Sequence, residues 1–221
     1  ATTTDDIRKF AKANFDIPVI LSQYEKLFRS LIGNERFKTD TVFASGALKN
    51  KIRVMHVCYL TAGSQSGYMV RVIEETKALV KQNIDITIAA FLDQKWFQEP
   101  DRLSDYKKQI EDMTNARVFF FPVSHFFDLN VSEAMINEID EPLIQTAKQH
   151  HIGIFHGQAL YSTMHALRTA KKINARVVFD NHGISPEETA MTGGNQIRID
   201  FATHAERQAL MEADLRIMVS R

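Results

Sequence analysis

From Lys51 onward the chain alternates short β-branched or aromatic runs with longer stretches whose apolar residues recur at helical spacing. Few architectures accept that rhythm, because each strand must pair in a sheet and each helix must lay its apolar stripe on it. Strands are expected at Ile52–Cys58, Ile84–Phe91, Arg117–Phe121, Ile152–Phe155, Arg176–Phe179 and Leu215–Val219. Between them lie a helical stripe through Met69, Val72, Ile73, Leu79 and Val80, a helix around 101–113, a less regular acidic region at 129–142 leading to a helix that ends near His150, and helices at Ser162–Lys172 and Ile199–Met211. Six strands joined by right-handed helical crossovers predict an α/β, Rossmann-like, doubly wound parallel sheet.

The residues before Lys51 read differently. Val19, Ile20, Tyr24, Leu27, Phe28, Leu31 and Ile32 form one stripe, and Gly33-Asn34 supplies a stop, so residues 1–36 are expected to be a helical segment. Residues 37–50 lack a sustained period and read as a linker, which leaves 51–221 as the principal domain. The start lacks Met and any signal-peptide pattern, and the last residues read as a bare strand, so a piece of a longer polypeptide is expected.

Charge and cysteine usage narrow the function classes. Lys+Arg and Asp+Glu both number 27, leaving no long-range field to gather nucleic acid or an anionic membrane. No apolar run approaches the length of a membrane-spanning helix, and membrane association has no support in the sequence. Cys58, the single cysteine, sits inside an apolar run, which argues against a disulfide or thiol chemistry and fits a reducing cytoplasm.

In a doubly wound sheet, ligands bind beyond the carboxyl ends of the strands where the strand order reverses, here between the first and fourth strands. The residues expected at that edge are polar or glycine-rich: Thr61 to Tyr68, then His156-Gly157-Gln158, then Asp180-Asn181-His182-Gly183. Gly63 and Gly67 would let the backbone turn and point N–H groups at a phosphate or sugar oxygen, with Ser64 and Tyr68 beside them. They form neither a G-x-G-x-x-G fingerprint nor a P-loop. His182 is the candidate catalytic group, able to hydrogen-bond a substrate hydroxyl or position a leaving group, with Asn181 and Gly183 flanking it. Asp180 either orients His182 or closes its strand by capping a turn, and His156 either contacts a ligand or makes a structural hydrogen bond. Glu187-Glu188 suit a helix N-terminus. His150-His151 with His156 lack the spacing and partners of a zinc site, so no metal site is expected.

These segments resemble the opening of the retaining GT-B glycosyltransferases of family four. The strand, glycine loop, helix and strand of Lys51–Phe91, then Ile154-Phe155-His156-Gly157, then Val178-Phe179-Asp180-Asn181-His182-Gly183 are similar to successive elements of that family's N-terminal half. Glu206 and Ala213 to Ser220 resemble its closing helix and strand, so the likeness covers residues 51–221. The resemblance implies an acceptor-side domain of an enzyme of polysaccharide biosynthesis, with a nucleotide-sugar as co-substrate, a glycan-type acceptor, no cofactor and no metal. It implies that His182 faces the donor sugar and that the Gly63–Gly67 loop approaches the donor phosphates or the acceptor. The family's C-terminal half is absent from these residues, so the chain alone is expected to be inactive. Phe10 to Phe15 and Tyr24 to Phe28 look like the closing helices of that C-terminal half, which would make the parent a tandem of two units, the alternative being a helical extension packed on this domain.

Two other readings compete. One is a nucleotide- or NAD-binding oxidoreductase domain, in which Asp93 would contact a ribose. The other is a non-catalytic interaction module of the same fold.

Overall fold

A computed structural model describes residues 52–60, 67–123, 133–183 and 185–218; residues 1–51, with the expected N-terminal helix and linker, lie outside them. The elements run β1 (Arg53–Tyr59), α1 (Gly67–Lys81), β2 (Asp85–Asp93), a 3-10 turn (Gln94–Gln98), α2 (Pro100–Thr114), β3 (Arg117–Val123), α3 (Glu133–Gln149), β4 (Ile154–Gln158), α4 (Ala159–Ile173), β5 (Arg176–Asn181), α5 (Ser185–Met191), α6 (Gln196–Glu212) and β6 (Leu215–Met218). All six strands are parallel, in the order β3-β2-β1-β4-β5-β6. The doubly wound α/β sheet read from the sequence is thus the observed one, and its order reverses between β1 and β4.

Alternation along the strands feeds two cores. Met55, Val57, Phe91, Phe155 and Phe179 face α3, α4 and α6, where Leu143, Leu167 and Ala205 are buried among them. Val54, Cys58, Ile86, Ile88 and Ile154 face α1 and α2 through Val72, Leu79 and Ile110. The lone thiol of Cys58 is buried, and burial pushes its pKa up, which leaves it inert. α6 buries only alanines, Ala202, Ala205 and Ala209. Helices end on asparagine rather than glycine: Asn83, Asn115 and Asn174 take φ of 62°, 54° and 56° just beyond α1, α2 and α4. The short polar side chain tolerates that left-handed conformation better than other residues with a Cβ.

Several boundaries differ from the expected ones, each for a physical reason. β4 and β5 continue through His156, Gln158, Asp180 and Asn181, which the polarity of the sequence assigned to loops. Their backbones stay in register, Gly157 beside Val57 and Gln158 beside Asp180, so polar side chains sit inside the sheet and not beyond it. α3 runs straight through Pro142 and replaces the expected irregular stretch up to that residue from Glu133. The 3-10 turn and α5 are too short to carry a periodic signal.

At the turn from β4 into α4 the helix lies close against its own strand. A Cβ on Gly157 would lie 2.4 Å from Thr163 Oγ1 and 2.5 Å from Thr163 Cα, so glycine is what lets α4 fold back on its own strand. Two residues later Ala159 adopts φ 66°, a left-handed conformation that costs a residue with a Cβ about 1–2 kcal/mol. Substitutions two positions apart should therefore act in opposite directions. Gly157→Ala is expected to lower stability by about 1–3 kcal/mol through overpacking, whereas Ala159→Gly should leave it unchanged or raise it by up to about 1 kcal/mol; urea unfolding of the two variants measures both.

Candidate functional site

The face of the sheet under α1 carries a column of polar side chains at the strand-order reversal. His56 of β1 and His156 of β4 are register partners, both completely buried. Gln158 and Asp180 follow on the same face, also without exposure, and His182 stands just past β5 with its side chain 16% exposed. α1 closes the column from above. Its Thr76 reaches His56 at the lower end, its Glu75 reaches Gln158, and its Arg71, one turn earlier, sends one Nη2 to both oxygens of Asp180 at 2.8 and 2.9 Å.

The contacts form a continuous chain. Thr76 Oγ1 lies 3.0 Å from His56 Nδ1, His56 Nε2 lies 3.2 Å from His156 Nδ1, and His156 Nε2 has a weaker contact of 3.5 Å with Gln158 Nε2. Gln158 Nε2 donates to Glu75 Oε2 at 2.7 Å, while Gln158 Oε1 meets His182 Nε2 at 2.9 Å. His182 Nε2 is also 3.3 Å from Asp180 Oδ2. Tyr68 packs beside the top of the column: its hydroxyl donates to the Gln158 carbonyl at 2.9 Å, and its ring centroid is 5.1 Å from that of His182.

Burial sets the protonation states. It pushes His56 down to about 3, with the neighbouring His156 adding to the effect, and His156 down to about 4, against the opposing pull of the Asp180 carboxylate. Both imidazoles are therefore neutral at pH 7. Burial alone would raise Asp180, but the hydrogen bond from His182 and the Arg71 guanidinium outweigh that and hold the carboxyl below its ordinary range. The column is thus an ionised carboxylate and its guanidinium near the surface, with two uncharged rings below.

The expected site residues divide into three groups. His182, Asn181 and Gly183 lie together at the carboxyl edge of β5, where Gly183 N donates to Asn181 Oδ1 at 3.3 Å. Tyr68 joins them from α1, and Gly67 opens that helix, where among the described residues nothing lies within 4 Å of the place a Cβ would take. His156 lies wholly inside and reaches the edge through Gln158 and Asp180. Gly63 and Ser64 lie outside the described residues. Asp180 does not cap a turn; it sits inside β5 within reach of His182. Asp93 accepts from Lys95 N at the head of the 3-10 turn. Glu187 and Glu188 occupy the first turn of α5. His150 lies against Arg117 and Phe119, at the other end of the sheet from the His182 loop.

His56, Arg71, Glu75, Thr76 and Gln158 escaped the sequence reading of the site. Arg71, Glu75 and Thr76 belong to a helix read only for its apolar stripe, and Gln158 was noted only as part of its segment. The available signal was His56 itself, a histidine in the middle of an otherwise apolar strand. Among the described residues, His56, Glu75 and His156 could hold a metal ion, with one candidate ligand atom from each lying within 4.8 Å of the others. The hydrogen bond between the two rings already accounts for their approach.

A second buried network lies on the opposite face. Tyr59 Oη is 2.9 Å from His165 Nε2, and Arg168 donates to Asp140, which also sits 3.2 Å from His165 Nδ1. It ties β1, α3 and α4 together beneath the surface.

The buried rings give the fold a pH dependence with a definite sign. An unfolded histidine binds its proton below about 6.5, whereas His56 and His156 bind theirs only near 3 and 4. Stability is complete above pH 6.5 and falls as the pH drops towards 4, by up to about 1.4 kcal/mol per pH unit for each ring. Urea midpoints measured from pH 8 to pH 4 should decline below pH 6.5; a flat profile would contradict neutral burial of the pair.

No family model matches the sequence, and no curated protein matches it. Among solved structures, sucrose-phosphate synthase from Thermosynechococcus elongatus superposes with a TM-score of 0.52 at 13% identity, over 77% of this chain and 42% of that one. HepE of Anabaena in complex with UDP and glucose gives 0.47 at 16% identity over 75% and 37% of the two chains. MurG of Acinetobacter baumannii gives 0.47 at 12% over 75% and 40%. The chain thus spans about two fifths of the length of these proteins. What the likeness establishes is architecture: a six-stranded parallel Rossmann-like sheet matching one half of a GT-B fold.

Proposed function

We propose that this chain is the acceptor-side half of a retaining GT-B glycosyltransferase similar to family four, passing a sugar from a nucleotide-sugar to a hydroxyl of a glycan-type acceptor in polysaccharide biosynthesis. The observation that carries the reading is the placement of His182: a partly exposed imidazole at the carboxyl edge of β5, beside the strand-order reversal, braced by Gln158, Asp180 and Tyr68. Ligands of doubly wound sheets bind at that edge. The fold likeness to a sucrose-phosphate synthase points the same way.

In this reading His182 contacts the donor sugar near the bond that breaks. Asn181 and Gly183 shape its loop, Gly67 and Tyr68 border it from α1, Gly63 and Ser64 approach the donor phosphates or the acceptor, and His156 supports the edge from inside. A ring whose position is fixed before ligand arrives contributes orientation without paying for it on binding. Charge on the departing phosphate would be met chiefly by groups of the second half-domain, with no metal. The setting proposed is the cytoplasm.

Calorimetric titration of residues 1–221 with glycan acceptors, UDP-sugars and NAD tests the proposal. A sugar-bearing ligand should bind, and His182→Ala should weaken it about fivefold to tenfold, the worth of one hydrogen bond. Binding of NAD alone would contradict the reading, and sustained transfer by residues 1–221 without a second half would overturn the assignment as a half-enzyme.

A further inference from the structure

The hydrogen-bond chain under α1 has a direction, and it can be worked out from both ends. At the bottom, Thr76 Oγ1 lies 2.7 Å from the Val72 carbonyl, a group that can only accept, so the hydroxyl proton points there. Thr76 Oγ1 must then accept from His56, which places the His56 proton on Nδ1 and leaves Nε2 with its lone pair. His156 answers that lone pair with a proton on its own Nδ1, and its Nε2 becomes an acceptor facing the Gln158 amide. At the top, the Glu75 carboxylate oxygen 2.7 Å from Gln158 demands the amide nitrogen, which turns the amide oxygen towards His182. Both ends fix the same orientation of one amide.

We propose that Glu75 and Gln158 are positioning residues for His182: by fixing the Gln158 amide they hold the His182 proton on Nε2 and leave Nδ1 as a hydrogen-bond acceptor. The Gln158 contact, at 2.9 Å, is shorter than the 3.3 Å contact with Asp180. Asp180 Oδ2 accepts the same Nε2 proton at the longer distance, so the amide and the carboxylate favour the same ring form. A His182 locked in this form offers an acceptor to the hydroxyl of a ligand and disfavours a partner that can only accept, such as a fully ionised phosphate. The role towards a ligand rests on the reading of His182 as the group that faces the sugar; the tautomer does not.

The test is a long-range proton–nitrogen correlation spectrum of ¹⁵N-histidine-labelled residues 1–221 near neutral pH, which separates the two neutral ring forms. The His182 signals are identified by their loss in His182→Gln. Wild type should show His182 with its proton on Nε2. Glu75→Met and Gln158→Met should each move the tautomer ratio about fivefold towards Nδ1–H, the size of one net hydrogen bond, while Glu75→Gln, whose side-chain oxygen still accepts, should restore the wild-type pattern. Amide spectra establish that each variant is folded, and the wild-type spectrum stands as a test even if one is not. A wild-type proton on Nδ1, or an unchanged ratio in both folded methionine variants, would overturn the proposal. Because these spectra are recorded without ligand, they decide the positioning role alone; UDP-sugar or acceptor failing to perturb His182 would overturn the glycosyltransferase reading instead.

Discussion

The pairing of Asp180 with Arg71 is the contact on which the working edge depends. A carboxylate with no solvent exposure is tolerated inside a sheet only if a fixed cation and hydrogen-bond donors replace its water. Arg71 supplies the cation from α1, reaching past β4 to β5, so one ion pair holds the helix against the central strands beside the strand-order reversal. The guanidinium remains partly exposed, which moderates the energetic worth of the pair. With Asp180 fixed, His182 has a wall to lean on, and Tyr68 flanks the ring.

The sheet divides its labour between its faces. Towards α3, α4 and α6 the strands present Met55, Phe91, Phe155 and Phe179, large apolar groups that lock the sheet to its helices. Towards α1 the same strands present His56, His156, Gln158 and Asp180, which cannot be buried unless their hydrogen bonds are nearly complete. Neutral rings meet this demand cheaply in desolvation, and their two nitrogens per ring pass orientation along the chain. The result is a polar seam whose rigidity comes from hydrogen bonding, set against an apolar core whose rigidity comes from packing. The tight Gly157–Thr163 approach fixes β4, the strand both depend on.

Much of the fold was legible because period-2 and helical patterns are written by apolar residues alone. The reversal between the first and fourth strands followed from the βαβ rhythm. His182 and Gly183 were singled out because they follow a strand immediately, and Asn181 because it closes that strand. The inner seam was hidden for the same reason the fold was clear. Polar residues were read as loop, so His156 and Gln158 were placed beyond β4 when they are part of it, and Asp180, left between orienting His182 and capping a turn, is buried in β5 within reach of His182. Arg71, Glu75 and Thr76 were invisible because the face they share with the seam is defined only after α1 is docked. Which polar group meets which is a tertiary fact, and no local pattern encodes it.

The central claim is that ligand binds at the carboxyl edge of β1, β4 and β5 and that its sugar meets His182. A crystal structure of residues 1–221 soaked with a UDP-sugar and a glycan acceptor addresses it most directly. The account predicts sugar density against His182, with Gln158 and Asp180 still bracing the ring from within. Sugar density elsewhere on the molecule, or a nucleotide seated at Asp93 with the His182 edge empty, would contradict it.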